Sequence, residues 1–468
     1  MKILLVSHDF LPRHAMGTEV YTLHLGKSLR RRGHEVHVFT TEKDIGRQNL
    51  TVRVFEYDGL PVHELTNNLF YNDFRETWDY PPAAKTFGDF LDDFKPDVVH
   101  FMHLMYLSVA CAEEVARRGI PVFYTLHDYW LQCARFGQRK HVDGSICHDI
   151  DFDRCGGCMS DFKFRQTRVE RATAKAVARV HSATGIDLGP TVRGVANALS
   201  GKDNNNQAPT EPVITQADPQ RAAEIAARDK GLRERLLPNV GRFLAPSEFL
   251  RQRFLEWGIP EDQITYLRTG IDLEPFEGFQ RAPSADKLRV AFVGTVAPHK
   301  GTHLLLEAWG MLSPELRERG DLTVYGPLDH YPAYRRQVQE LAERCGASLP
   351  GVLSRAQVVE RLGHIDLLVI PSVWYENSPL TILEAMATRT PLLVSDLGGM
   401  AELVEDGVNG FHFRVGDAAH LAEQLQRFFE DRSLLDELYA ENVPVQSIEY
   451  DAAQCETLYV EARAASGS

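Results

Sequence analysis

The sequence predicts an α/β protein of two doubly wound, parallel-sheet domains that face each other across a cleft. Two observations predict it. Strand and helix patterns alternate through the N-terminal half, and the same alternation starts afresh at Leu288. In the second unit an apolar run, Leu367–Ile370, leads within ten residues to a helix start at Ser378-Pro379, with another apolar strand, Pro391–Ser395, beyond it. A helix that begins at the carboxyl end of a parallel strand turns its free N–H groups toward a ligand crevice. The 468 residues are enough for two domains or three.

In chain order, strands are expected at Lys2–Ser7, Glu35–Thr40, Thr51–Tyr57, Asp97–His100 and Val122–Thr125, with helices including Glu19–Arg32 and Tyr106–Arg118. Arg165, Arg168, Arg171, Lys175 and Arg179 recur at three- and four-residue steps, which predicts one basic helix face. A solvated surface is the favoured reading of that face, and a patch for an anionic lipid or a pyrophosphate-linked acceptor the alternative. An insertion over about 186–240 contains the polar, proline-bearing segment Lys202–Pro212, and Asp218-Pro219 then caps a helix to about Leu236. The second unit has strands at Val290–Val293, Leu322–Tyr325, Leu367–Ile370 and Leu392–Ser395, and a helix near Leu304–Trp309. Pro275, Gly278, Pro283 and Ser284 place the linker near Glu274–Asp286, dividing the chain into 1–275, 276–445 and a last helical segment, 446–468.

Composition excludes several functions. Hydrophobic residues at 44% and charged residues at 25% are ordinary for a soluble globular protein. A net charge of −14 disfavours non-specific nucleic-acid binding and a wholly basic membrane-docking surface. The apolar run Ile3–Val6 is too short for a signal-peptide core or a membrane span. A cytoplasmic enzyme is expected, with at most peripheral membrane contact.

The chemistry concentrates between Trp374 and Gly399. Glu376 and Glu384 have seven residues between them and straddle the helix start, where Ser378 is a suitable N-cap and Pro379 suits the first helical position. One carboxylate then faces a polyhydroxylated group at the mouth of the crevice, and the other reaches a second one beside the helix. An anion flanked by two polyols describes a nucleotide sugar. Lys300, between Gly294 and Gly301 and after a strand, is the candidate phosphate cation. Gly17, between the first strand and first helix, leaves the backbone open to a phosphate or sugar. His127 ends the strand at Val122–Thr125, where a polar residue points into the crevice, and His8 is a weaker candidate by the same geometry.

Cys133, Cys147, Cys155 and Cys158 form a separate constellation with spacing C-x13-C-x7-C-x2-C. Disulfides are disfavoured in a cytoplasmic chain, so the spacing predicts a closed, structural zinc site in a loop that has too few apolar residues to order itself. An iron–sulfur cluster or unliganded thiols are the alternatives, and His141 or His148 could replace one sulfur. The segment Asn67–Trp78 carries aromatics suited to stacking on an acceptor sugar or, equally, to packing on the core.

The stretch from Trp374 to Gly399 resembles the Glu-x7-Glu motif of retaining, family 4 glycosyltransferases with the GT-B fold. The resemblance extends to Met1–Ser7, Met16–Tyr21, Leu29–Val36, Phe292–Gly301 and Glu402–Gly410. It implies two Rossmann-like domains, with a last helix around Tyr450–Ala465 crossing back onto the N-terminal one. It implies that Glu376 orients the donor sugar, that Lys300 holds the diphosphate without a catalytic metal, and that His127 faces the sugar across the cleft. Gly17, Thr18, Ser378, Leu380 and Glu384 would complete the site for a nucleoside diphosphate sugar, with Glu384 on the ribose. The acceptor would be a glycan or lipid-linked hydroxyl on the N-terminal domain. Two positions depart from the family pattern: Thr18 replaces a second glycine, and Thr295 stands where an arginine often precedes the lysine, leaving Arg268 or His299 as substitutes. A phosphorylase or epimerase of the same architecture, or a non-catalytic scaffold, are the alternative functions.

Overall fold

The computed structural model describes residues 1–160, 162–185, 188, 191, 217–282, 286–440 and 444–466. The segment Lys202–Pro212, most of the expected insertion before Asp218, and linker residues 283–285 lie outside the described residues.

The N-terminal sheet has eight strands in the order β3-β4-β2-β1-β5-β6-β7-β8. They are β1 (Lys2–Val6), β2 (Glu35–Glu42), β3 (Val52–Tyr57), β4 (Leu60–Thr66), β5 (Val98–Phe101), β6 (Val122–Thr125), β7 (Arg242–Ala245) and β8 (Ile264–Tyr266). All neighbours run parallel except β3 and β4, which form an antiparallel pair at the edge. The C-terminal sheet is wholly parallel, in the order β11-β10-β9-β12-β13-β14. Its strands are β9 (Leu288–Val293), β10 (Gly320–Tyr325), β11 (Ser348–Gly351), β12 (Leu367–Ile370), β13 (Leu392–Ser395) and β14 (Gly410–Phe413). Central strands such as β5, β6, β12 and β13 are buried along their full length, as helices on both faces require.

In both sheets the order reverses beside the first strand, with β1 between β2 and β5 and β9 between β10 and β12. The loops leaving these strands therefore diverge and open a crevice. The expected helix over Tyr106–Arg118 begins only at Ala110, because Tyr106 adopts φ +62° in the loop that enters the crevice.

The terminal helix Ile448–Ser466 lies against the N-terminal domain. Tyr459 Oη is 2.6 Å from His100 Nδ1 on β5, and Tyr21 Oη donates to Asp451 at 3.1 Å. The basic residues at 165–179 do not share one helix face. The helix runs Arg168–Thr184 behind a Thr167 cap, so Arg165 precedes it. Arg165 and Arg171 donate to the carbonyls of Asn72 and Tyr71, which ties this helix to the domain. No helix among the described residues is long and apolar enough to cross a membrane.

Candidate active site

β12 delivers the chain to the crevice, where Pro371–Pro379 forms an irregular loop before the helix Leu380–Ala387. The turn Pro298–Lys300, which follows β9, lies against this loop, and Val373 N donates to the His299 carbonyl at 2.9 Å. Gly301 makes that approach possible. Its φ is +68°, and a Cβ there would sit 1.8 Å from the Pro371 carbonyl oxygen. The packing brings Lys300 Nζ to 2.6 Å from Glu376 Oε1 and 5.0 Å from the centre of the Trp374 ring. Ser372 Oγ and Trp374 Nε1 each donate to the same carboxylate oxygen at 2.8 Å. Burial by itself would raise the Glu376 pKa, but Lys300 and the two neutral donors outweigh it and hold the carboxyl below its usual value.

Glu384, one helix turn inside Leu380–Ala387 and 3% exposed, is paired with the guanidinium of Arg355, which starts the helix Arg355–Leu362. Burial raises its pKa, and Arg355 offsets only part of that. His299 packs against Trp374 with ring centres 4.7 Å apart. Burial, and then Lys300, lower its pKa to about 4.

The opposite wall comes from the N-terminal domain. His127 follows β6, its Nε2 has no hydrogen-bond partner, and burial followed by His103 lowers its pKa to about 3. Its ring meets Tyr21 edge-on at 5.3 Å. Asp128 accepts from Trp130 N at 2.7 Å and lies 3.2 Å from His103 Nε2. His8, at the end of β1, also has an unpartnered buried nitrogen, Nδ1. Beside it, burial raises Asp9 to about 6 and Glu19 to about 7. Glu19 also caps its own helix, Gly17–Arg31, by accepting from Met16 N at 2.8 Å.

Gly17, Thr18, His127, Lys300, Glu376, Ser378 and Leu380 all line one cavity of about 510 Å³ between the two domains. Nothing lies within 4 Å of the position a Cβ on Gly17 would take, so its backbone faces open space. Glu384 is outside this lining, beneath Arg355. Sequence reasoning missed Asp9, Glu19, Ser372, Asn377 and Arg355. The strand-end rule that singled out His8 applies equally to Asp9, but nothing local marked Arg355.

Two expectations are not met, and a third reading is narrowed. Ser378 is not the N-cap: Pro379 occupies that position, the helix starts at Leu380, and Ser378 Oγ is buried without a partner. Of the two readings open for Asn67–Trp78, core packing is favoured: Tyr71, Phe74 and Trp78 are 2%, 3% and 5% exposed, while Phe70 is half-buried. The zinc site is not supported, although Cys133, Cys147, Cys155 and Cys158 are neighbours whose thiols act on one another. Cys133, Cys147, Cys155 and Cys158 are free, and among the described residues no group of three or more His, Cys, Asp or Glu side chains could hold a metal. Cys155 and Cys158 lie on the helix Phe152–Cys158.

The loop is ordered by other means. Arg139, 4% exposed, donates to Cys147 O, His148 O and Gln132 Oε1 at 3.0, 2.7 and 3.0 Å. Phe152, Cys155, Phe162 and Phe164 pack on a cluster of Phe74, Met159 and Ile225. Burial, and then the neighbouring thiols, raise Cys147 and Cys155 to about 12. His148 is occupied as well, with Nδ1 2.7 Å from the Tyr375 hydroxyl.

Two parallel-sheet domains that present their strand ends to a shared crevice define the GT-B architecture. The family described as "Glycosyl transferases group 1" matches residues 275–443, and "Glycosyl transferase 4-like domain" matches 16–185. Together these place the chain among the family 4-like GT-B glycosyltransferases. A D-inositol 3-phosphate glycosyltransferase from Nocardia farcinica is 30% identical over 232 residues, covering 46% of this chain and 50% of the relative. The chain thus spans about half the length of the curated relatives it matches first. Among solved structures, a sucrose-phosphate synthase from Thermosynechococcus elongatus superimposes with a TM-score of 0.65 at 18% identity, covering 99% of both chains. Anabaena HepE, solved with UDP and glucose, superimposes with a TM-score of 0.59 at 18% identity, covering 98% of this chain and 99% of that one. At these identities the likeness is one of fold.

Proposed function

We propose that the protein transfers a sugar, with retention of anomeric configuration, from a nucleoside diphosphate sugar to a hydroxyl of a glycan or lipid-linked acceptor. One observation carries the reading: the Lys300–Glu376 pair stands at the N-terminus of the helix Leu380–Ala387, in a cavity whose far wall holds His127. Lys300 and the free amides of that helix supply positive charge where the departing diphosphate gathers negative charge. Glu376 accepts from the donor sugar's hydroxyls, and the neutral His127 faces the same sugar from the other domain. Gly17 and Thr18 let the donor approach from the N-terminal side, and Ser378 and Leu380 border the diphosphate. Glu384 receives the ribose hydroxyls once Arg355, 42% exposed, swings toward solvent.

In the transfer step the bond from the anomeric carbon to the diphosphate oxygen breaks. The acceptor oxygen bonds to the same face of that carbon, and its proton passes to a diphosphate oxygen. The products are the glycoside and a nucleoside diphosphate. The acceptor enters from the N-terminal side, where Asp9, His14 and Glu19 line the cavity.

Because the HepE neighbour was solved with UDP and glucose, UDP-sugars come first in the test. Saturation-transfer NMR against UDP-, GDP- and ADP-sugars identifies the donor, and binding of none of them would refute the reading. NMR of the first-formed product should then show the donor's configuration kept, whereas an inverted linkage would remove the retaining assignment. Turnover should survive EDTA, since Lys300 and the helix N-terminus carry the charge compensation. Strict dependence on added manganese or magnesium would contradict that role.

A further inference from the structure

The residues on either side of Glu376 point away from it. Glu376 turns toward Lys300, while Tyr375 and Asn377 reach across to the N-terminal domain. Asn377 is 8% exposed and bonded at both ends of its amide. Its Nδ2 donates to the Leu126 carbonyl at 3.0 Å and to the His127 carbonyl at 3.4 Å, and its Oδ1 accepts from Ser247 Oγ at 2.8 Å. Ser247 Oγ in turn accepts from Leu250 N at 3.1 Å, capping the helix Glu248–Trp257 of the N-terminal domain. The backbone behind Asn377 is held too. Gly399 packs so closely that a Cβ on it would lie 1.7 Å from the Asn377 carbonyl oxygen. Nearby, the Glu402 carboxylate accepts from the amides of Glu248 and Phe249, each at 2.9 Å.

One side chain therefore joins the backbone of His127 to the residue after Glu376. A buried amide with both ends satisfied fixes distance and rotation together, because moving either domain breaks at least one bond in a water-poor site. An apolar side chain of the same size would leave two carbonyls and a hydroxyl without it.

We propose that Asn377 is a positioning residue that sets His127 against Glu376 across the cleft, and so aligns the sugar between them. The Tyr375–His148 contact extends the same clasp to the cysteine loop. The proposal rests on the glycosyl-transfer reading for its kinetic consequence, but not for the clasp itself.

The test compares the wild-type chain with Asn377→Leu, Asn377→Asp and Ser247→Ala. Hydrogen exchange followed by mass spectrometry needs no substrate. In Asn377→Leu, residues 122–130 and 244–250 should exchange at least about tenfold faster, with β9 and β13 unchanged. Kinetics with the donor found in the NMR panel should show kcat lowered about 100-fold, as a misplacement of about 1 Å costs, while the Kd for UDP or the matching diphosphate stays within about twofold. Asn377→Asp keeps the acceptor for Ser247 but loses the donor, and should fall nearly as far. Ser247→Ala removes one of Asn377's bonds together with the Leu250 N cap and should cost about threefold, which keeps the test alive if the Leu variant does not fold.

Unchanged exchange in the two segments would overturn the clasp. Unchanged kcat alongside faster exchange would overturn the positioning role. Diphosphate affinity and turnover falling in equal proportion, with exchange raised throughout, would mean a merely structural role and also overturn it. A wild-type chain that binds no nucleoside diphosphate would refute the glycosyl-transfer reading, and the exchange data would still decide the clasp.

Discussion

On the C-terminal side of the cleft, Glu376 at the wall and Glu384 behind it each meet a cation, Lys300 and Arg355. On the N-terminal wall, His8 and His127 keep an unpartnered ring nitrogen, and Asp9 and Glu19 have imidazoles within 4 Å instead of a lysine or arginine. The two walls meet desolvation differently. At the first, pairing holds the Glu376 pKa below its usual value and offsets part of the rise that burial imposes on Glu384. At the second, burial lowers the pKa of His8 and His127 and raises those of Asp9 and Glu19, while Glu42 raises His14 and His103 helps to lower Asp128. The paired wall suits an anionic diphosphate and hydroxyls that must find fixed charge. The part of the second wall around His8, His127 and Glu19, where burial disfavours charge, suits an uncharged polyol.

The largest effect should come from breaking a pair. Lys300→Met leaves the Glu376 carboxylate buried beside only neutral donors, which should destabilise the C-terminal domain by about 3 kcal/mol. Turnover should fall by roughly 100-fold or more as the charge at the diphosphate disappears. Thermal unfolding and steady-state rates check the two parts, and a stable, active variant would remove Lys300 from the site.

The second wall predicts a pH dependence at Glu19. Burial raises Glu19 from 4.5 to about 7, so the folded protein keeps a proton that the unfolded chain loses. The stabilisation tied to that proton is complete below pH 4.5 and is lost as the pH rises through 7. Glu19→Gln keeps an oxygen for Met16 N and needs no proton. It should be more stable than wild type at pH 8, by up to about 3 kcal/mol, with the gain shrinking toward pH 5. Melting curves across that range decide it, and a pH-independent difference would mean that Glu19 is ionised throughout.

Glu384→Ala tests the other pair and should differ from Lys300→Met. Arg355 is 42% exposed and can return to water, so stability should change little. Nucleoside diphosphate binding should weaken by roughly 1.5–3 kcal/mol through loss of the ribose contacts. Glu376→Gln should instead lower turnover with little effect on that affinity. Equal losses in both calorimetry and rate assays would show that the roles of the two glutamates are exchanged. The smallest effect is expected at Tyr71, whose hydroxyl accepts from Asn67 Nδ2 at 3.0 Å within the core. Tyr71→Phe should cost about 1 kcal/mol of stability and leave turnover within twofold of wild type. A selective loss of acceptor affinity would return these aromatics to the site.

Local order in the chain was enough for the repeated strand–helix alternation, because the period of apolar residues is written in consecutive positions. Val122–Thr125, Leu367–Ile370 and Leu392–Ser395 occur with the boundaries their apolar runs imply. β4, β7, β8, β11 and β14 were not recognised, since none is a continuous apolar run set off by turn residues and their pairing is non-local. Within the candidate site, Glu376, Lys300, His127 and Gly17 could be singled out from strand ends, a glycine and the helix start. Their partners could not be. Lys300 and Glu376 are 76 positions apart, and Asn377 and Leu126 are 251 apart. Only packed sheets bring such residues within hydrogen-bond distance. The cysteine loop shows the same limit from the other side. Its spacing suggested a metal because spacing records which side chains recur, whereas Arg139, Phe162 and Phe164 order the loop through contacts that exist only after folding. The alternation of elements and the residues at strand ends were determined by sequence, because they depend on neighbours along the chain. Which charges are paired, which histidines stay neutral and which aromatics are withdrawn into the core were decided by tertiary structure, because each depends on desolvation and on partners that packing alone supplies.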